Sequence, residues 1–527
     1  MLAAVSRGAV VGIGVALATM AGGALAQTTI RLVPQSEATV FDPVTAVVAV
    51  TQQHAYMIYD TLFSLDADGV PQPQMVERVV SSDDGRTLTM TLRPGLRFHD
   101  GTPVRAADAV ASIARWAKRD VVGTRLVGMG MRLAVLDDRT FTVTTDFPTP
   151  LVIEGFAKPT SSALFVMRES DAANDPARAV TANIGSGPFR FVASEYVSGS
   201  RLVYERNPDY KPRDEPASGF AGGKHVHVDR AEFVIVGDLA TAAAALQAGQ
   251  VDIFESPPLD LLPVLRRNRG VALRALNRGG IAGFFRPNFL LPPLDNPKVL
   301  QALMMAFDQA EFMALAGGGD RNAWRTCHSF LACSDADSPE GGTEAFRQPD
   351  IEKAKLLLRE AGYNNEPVVI LQPTNFQLIS DFVEVAAARM RLIGMTVNVA
   401  TLDWASVLQR RANRGPASEG GWNAFISWGY SFELGNPAAN FLLNTPCDGS
   451  GWFGWPCDAA MVELRNGWMR ETNPERRRAL RDQLQARAAE FIPFVPLGQY
   501  LSQVAYRTSV SDLLDTPVTV LWNVRKR

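Results

Sequence analysis

The sequence predicts an α/β protein built from at least two lobes, and three observations carry that reading. The chain is 527 residues long, more than one hydrophobic core usually organises. Its hydrophobic content, 46%, is that of an ordinary globular protein. After Pro287 the pattern alternates between helical and strand periodicity, the mark of an α/β layer.

The elements follow in chain order. Residues 1–26 carry one charge, Arg7, then an apolar run from Ala9 to Met20, and close on Ala24-Leu25-Ala26 before Gln27. A charged start, a short apolar core and an A-x-A site predict a secretory signal peptide cleaved near Ala26/Gln27. The run is too short and too rich in Gly and Ala for a membrane span of about 20 strongly apolar residues. No Cys stands at the cleavage site to carry a lipid, and no later stretch reads as a transmembrane helix.

Asp83-Asp84-Gly85 is a turn, and Leu88, Met90 and Leu92 then alternate with threonines as a half-buried strand. Pro94-Gly95 and His99-Asp100-Gly101 turn the chain again before a helix from Ala106, with Val110, Ile113, Trp116 and Ala117 at helical spacing. A second strand pair flanks Asp137-Asp138 within 131–147. Gly185-Ser186-Gly187-Pro188 breaks the chain ahead of paired strands at Phe189–Val192 and Arg201–Glu205. Leu239–Gly249 is an Ala-rich helix stopped by Gly249, and Val251–Phe254 is a strand.

Further on, an amphipathic helix is expected over Val299–Leu315. Another runs over Glu352–Ala361, capped by Asp350 and stopped at Gly362, and a third over Ile379–Leu392 before a strand at Met395–Ala400. Asn473-Pro474 starts a helix that runs to about Glu490.

Composition excludes several functions. There are 52 Lys and Arg against 55 Asp and Glu, a net charge of −3, which lacks the basic surface that nucleic acid or an anionic membrane requires. No Ser/His/Asp order, metal quartet or carboxylate pair announces an enzyme, and no cofactor motif is present. Cys327 with Cys333 and Cys447 with Cys457 form two local pairs in loops, read as disulfides of an oxidising compartment. A metal site of cysteines with His328 is the rival, but neither spacing is C-x-x-C.

His99-Asp100-Gly101 is read as a hairpin turn and Gly185-Ser186-Gly187 as a tight turn, since nucleophile-elbow and phosphate-loop flanks are missing. His225, His227 and Asp229 would share one face of a strand. A solvated polar face is preferred there over a metal site. Arg476-Arg477-Arg478 and Arg481 are read as the solvated face of their helix. Trp422, Phe425, Trp428, Tyr430 and Phe432 crowd one segment, followed by Glu433 and Asn436. Trp422 and Phe425 are placed in the core, and Trp428 and Tyr430 at a binding cleft.

Five stretches together resemble family 5 of the bacterial extracellular solute-binding proteins, the dipeptide, oligopeptide and nickel receptors of ABC importers. They are DDGRTLTMTLRPGLRFHDGTPVRAADAVASIARW at 83–116, IGSGPFRF at 184–191 with RNPDYKP at 206–212, LQAGQVDIFE at 246–255, NFLLPPLDNPKVLQALMMAFDQAEF at 288–312, and IEKAKLLLREAGY at 351–363. The resemblance implies a periplasmic-binding-protein-like fold of the class C type: two α/β lobes joined by a hinge, plus an extra domain on the first lobe. It places lobe I at 27–70, 185–280 and 490–527, the extra domain at 71–184 and lobe II at 281–489. It also implies a monomeric periplasmic receptor, not an enzyme, that captures a peptide or peptide-like solute between its lobes and delivers it to an ABC permease and its ATPase subunits.

In the family a segment with Trp-Gly and Gly-x-Pro borders the cleft, matched here by Trp428-Gly429 and Gly435-Asn436-Pro437. The ligand contacts it implies are Trp428, Tyr430, Glu433, Asn436, Gln372, Asn375, Trp404 and Gln35. The sequence also departs from dipeptide receptors. Where they hold the ligand's amino group with an Asp, this chain has Ser431 and Phe432, with Glu433 as the nearby carboxylate. Where they hold the ligand's carboxylate with an Arg, it reads Gln372-Pro373-Thr374-Asn375. A Gln brings no charge and no bidentate fork. A sugar, an opine-like compound, a metal chelate or haem are therefore alternative ligands on the same fold.

Overall fold

Thr29–Val33 is the central strand of a seven-stranded sheet, and its apolar residues Ile30, Leu32 and Val33 are buried. It pairs in parallel with Arg230–Val234 on one side and Ile253–Phe254 on the other. Phe189–Phe191 and Arg201–Arg206 extend one edge, and Val504–Arg507 and Val271–Arg274 the other, all antiparallel. The sheet thus draws on three separate stretches of chain and forms the first lobe. This is a computed structural model that describes residues 27–160, 162–333 and 338–527; the expected signal peptide lies outside them.

The second lobe is built on a six-stranded sheet ordered Trp324–Arg325, Val495–Tyr500, Ile281–Pro287, Ala424–Tyr430, Val368–Pro373, Val397–Leu402. The last three run parallel, so their carboxyl ends share one edge. Helices Pro297–Ala306, Gln309–Gly317 and Gln377–Leu392 bury their apolar faces against this sheet. Val495–Tyr500 still pairs here, past residue 490 where the first lobe was expected to resume. The chain returns to the first sheet at Val504.

The extra domain is a four-stranded antiparallel sheet, Val76–Ser81, Thr87–Leu92, Thr140–Thr144 and Arg132–Val135, covered by helix Ala106–Ala117. The alternation read in 88–92 is realised, with Met90 and Leu92 buried. The core of this domain takes in Ala438, Ala439, Trp468 and Met469 of the second lobe, so the two bodies share apolar contacts. It is tied to the first lobe by a fully buried ion pair, Arg115 Nη2 to Asp42 Oδ2 at 2.6 Å.

Local signals set most boundaries. Asp350 accepts from the Lys353 N–H and caps Ile351–Glu360, and Asn473 accepts from the Arg476 N–H at the start of Pro474–Phe491. One expected helix is two. The apolar run 299–315 splits into Pro297–Ala306 and Gln309–Gly317, bent by 57°, because Asp308 accepts from the Ala310 N–H at 2.9 Å and caps a new start. The segment 225–229 is not a strand. Trp422 and Phe425 are fully buried in the second lobe. Among the described residues no single helix is long and apolar enough to cross a membrane.

Candidate ligand-binding cleft

A cavity of about 480 Å³ lies where the first lobe, the extra domain and the second lobe meet. The first lobe contributes Phe220 and the 276–279 crossover, the extra domain Glu154 and Lys158, and the second lobe Glu433 and Asn436. That volume is in the range of small-ligand sites, which are mostly apolar with a few placed polar groups. Two further hollows, about 470 and 340 Å³, are lined by second-lobe residues alone.

Glu433 reaches the cavity because strand Ala424–Tyr430 ends there and passes directly into the short helix Ser431–Gly435. Two contacts pin that turn: the Ser431 N–H donates to the Gly280 carbonyl at 3.1 Å, and the Gln499 amide donates to the Ser431 hydroxyl. Ser431 is therefore a structural anchor rather than a ligand contact. Glu433 is 7% exposed, and Thr160 Oγ1 donates to its Oε1 at 2.8 Å. Among the described residues no Lys, Arg or His lies within ion-pairing distance of it. Asn436 lines the cavity too, but its side-chain oxygen accepts from the Ala438 N–H at 2.8 Å as a cap.

The aromatic residues form a ladder on this turn. Trp428 meets Tyr430 edge-on at 5.5 Å, Tyr430 stacks on Phe432 at 5.6 Å, and Phe432 lines the cavity. Trp428 stands behind, partly packed on the second-lobe core. The Tyr430 hydroxyl is held protonated, first by burial and then by the Glu255 and Glu433 carboxylates near it.

Glu255 ends the LQAGQVDIFE stretch at the carboxyl end of its strand. It accepts from Gln53, from the Thr519 hydroxyl at 2.8 Å and from the Gln35 N–H at 3.0 Å, and burial raises its carboxyl pKa. Gln35 thus takes part through its backbone while its side chain is exposed.

Three expected contacts sit on the same sheet edge but spend their polar groups internally. Gln372 Nε2 donates to Glu384 Oε1 at 2.6 Å and to the Ser380 carbonyl at 3.3 Å, both in the helix behind it. Asn375 accepts from the Trp404 N–H at 2.7 Å, and the Trp404 ring packs edge-on to Phe376 at 5.4 Å. None of the three lines the 480 Å³ cavity.

Other motifs resolve into structure. His99 bridges the Gly187 carbonyl and the Gly185 N–H at 3.2 and 3.3 Å, and burial lowers its pKa to about 4, so it serves as a neutral link. The His225 and His227 rings stand 6.4 Å apart, while Asp229 is taken by the Thr28 N–H and by Arg206. Among the described residues, the three ligand-type side chains close enough to share an ion are Cys327, Cys333 and Glu340, and the two cysteines are disulfide-bonded. Cys447 and Cys457 form the second disulfide.

The arginine stretch is not simply solvated. Arg477 lies over the Trp468 ring at 3.6 Å and forks onto Glu154 of the extra domain, with Nη2 2.7 Å from Oε2. Arg481 lines the cavity. Thr160, Lys158, Glu154, Trp468 and Phe220 carry no local signal of a site, because they converge only through tertiary packing.

A hinged pair of α/β lobes with an appended domain, enclosing a small-ligand cavity between bodies, defines the solute-receptor class. Comparison with known proteins narrows this. Residues 70–449 match the model of the bacterial extracellular solute-binding proteins, family 5 Middle. The chain is 38% identical over 506 residues to a probable peptide ABC transporter periplasmic-binding protein, y4tO, of Sinorhizobium fredii, covering 95% of this chain and 94% of that one. In fold it is similar to the periplasmic binding protein DppA of Helicobacter pylori in complex with the peptide STSA (TM-score 0.77, 18% identity, 95% and 98% of the chains). It is also similar to AgaA of A. tumefaciens in complex with agropinic acid (TM-score 0.76, 20% identity, 95% and 99%). The chain belongs to family 5 of the bacterial extracellular solute-binding proteins, whose members are transport receptors and not enzymes.

Proposed function

We propose that this receptor captures a peptide or peptide-like solute bearing a positive group in the 480 Å³ cavity, and hands it to an ABC permease driven by its ATPase subunits. The observation that carries the reading is Glu433, a buried carboxylate on the cavity wall with no cationic partner among the described residues. A buried charge of this kind is costly until something neutralises it, and the amino group of a peptide is such a partner. The 38%-identical relative described as a peptide receptor supports the ligand class. The N-terminal pattern supports export with cleavage near Ala26/Gln27. The similarity in fold to a receptor in complex with agropinic acid keeps an opine-like compound as the second reading.

A melting-shift screen of residues 27–527 tests this. Dipeptides, the tetrapeptide Ser-Thr-Ser-Ala, agropinic acid, nickel–histidine and maltose form the panel. A ligand at a hundred times its Kd adds about 2.7 kcal/mol to stability, a shift of several degrees. Peptides should shift the melt; a shift by maltose with none from any peptide would overturn the proposal.

A further inference from the structure

We propose that Thr160 is a positioning residue for the cleft: its hydroxyl, carried on a rigid turn of the extra domain, aims the Glu433 carboxylate of the second lobe into the cavity. This rests on the reading of Glu433 as the ligand's cation contact. Thr160 Oγ1 donates to Glu433 Oε1 at 2.8 Å, and both residues are buried. Among the described residues nothing else hydrogen-bonds to that carboxylate, so this one bond fixes its orientation and leaves Oε2 for the ligand.

The turn that carries Thr160 is held from several directions. Lys158 Nζ lies 2.8 Å from Asp120 Oδ2 and donates to the Thr160 carbonyl at 2.5 Å. Asp120 is itself fixed, since its other oxygen accepts from the Val122 and Gly123 N–H groups as a helix cap. The Tyr56 hydroxyl donates to the Pro159 carbonyl at 2.7 Å, and the Trp116 indole donates to the Ser162 carbonyl at 2.6 Å. Ser162 has φ +69°, a left-handed conformation that costs a non-glycine residue energy and persists where its surroundings over-determine it. Strain of that kind clusters at ligand clamps. These anchors all lie on the first lobe and extra domain. The hydroxyl therefore has a fixed position, and the second lobe must bring Glu433 to it. The bond joins the extra domain to the second lobe beside the cavity.

The test uses the full mature chain. Thr160→Val removes the donor while keeping the shape, and Thr160→Ser restores it. First, without peptide, melting of the wild type, Thr160→Val, Glu433→Leu and the double variant forms a cycle, each single change removing one end of the bond. Non-additive shifts are expected. Second, a tryptic digest of casein is titrated in melting-shift experiments. Its half-saturating concentration should rise roughly tenfold in Thr160→Val, the effect of a lost hydrogen bond to a charge, and return to within about twofold of wild type in Thr160→Ser. A half-saturation in Thr160→Val equal to wild type overturns the proposal even if that variant melts lower. If the digest shifts no protein, wild type included, the peptide reading of the cleft falls, and the cycle alone then decides: additive shifts overturn the role of Thr160, coupled ones uphold it.

Discussion

Two buried carboxylates, Asp42 and Glu433, sit at opposite seams of the extra domain and are treated in opposite ways. Asp42, at the seam with the first lobe, accepts from Arg115 at 2.6 Å and from the Val44 and Val180 N–H groups at 2.8 Å each. Its charge is matched and its lone pairs are filled. Glu433, at the seam with the second lobe, accepts one hydroxyl and faces a cavity. The first seam is permanent structure. The second shares apolar core and the Arg477–Glu154 ion pair, yet leaves this carboxylate with no cationic partner among the described residues. Where hydrogen bonds are spent, not residue type, separates the two.

The contrast breaks or sharpens under substitution. The largest effect is expected for Asp42→Asn: leaving Arg115 buried beside an amide should cost about 3–5 kcal/mol in denaturant unfolding while ligand affinity changes little. A loss near zero would remove Asp42 as the matched partner. Gln372→Leu comes next. It removes the hydrogen bond to Glu384, an exposed carboxylate that water can serve instead, and should lower stability by about 1 kcal/mol, with affinity within about twofold of wild type, read by denaturant unfolding and calorimetry together. A tenfold affinity loss there would return Gln372 to the ligand site.

Glu433→Gln should act in the other direction on stability, raising it by up to about 1 kcal/mol, because it removes a buried charge without stranding a partner. A loss as large as that of Asp42→Asn would erase the distinction between the seams. The smallest effect is Asn375→Ala, which removes an acceptor for the Trp404 N–H and should cost about 1 kcal/mol or less in the unliganded protein.

How much of this was legible in the sequence follows from the range of the interactions. The caps at Asp350 and Asn473 and the alternation at 88–92 are local, and they were readable. The break at Phe307-Asp308 was not, because apolar periodicity continues through it and a single Asp decides the outcome. Of the 428–436 segment singled out by the family pattern, Glu433 and Asn436 line the cavity, while Trp428 and Tyr430, expected at the cleft, do not. The pattern could not reveal that Gln372 turns back to Glu384, twelve residues on and one helix away, or that Asn436 is a cap. Thr160 is invisible for the same reason: its partner is 273 residues distant. Arg477 reads as a surface charge until the fold brings Glu154 and Trp468 to it.

The most direct measurement is titration calorimetry of wild type and Glu433→Gln with whichever of Met-Leu, Ser-Thr-Ser-Ala and agropinic acid shifts the wild-type melt. One-to-one binding by the wild type, weakened roughly ten- to a hundredfold in a Glu433→Gln variant that melts no lower, is the predicted result. Equal affinity in the two proteins would contradict the claim that this carboxylate holds the solute.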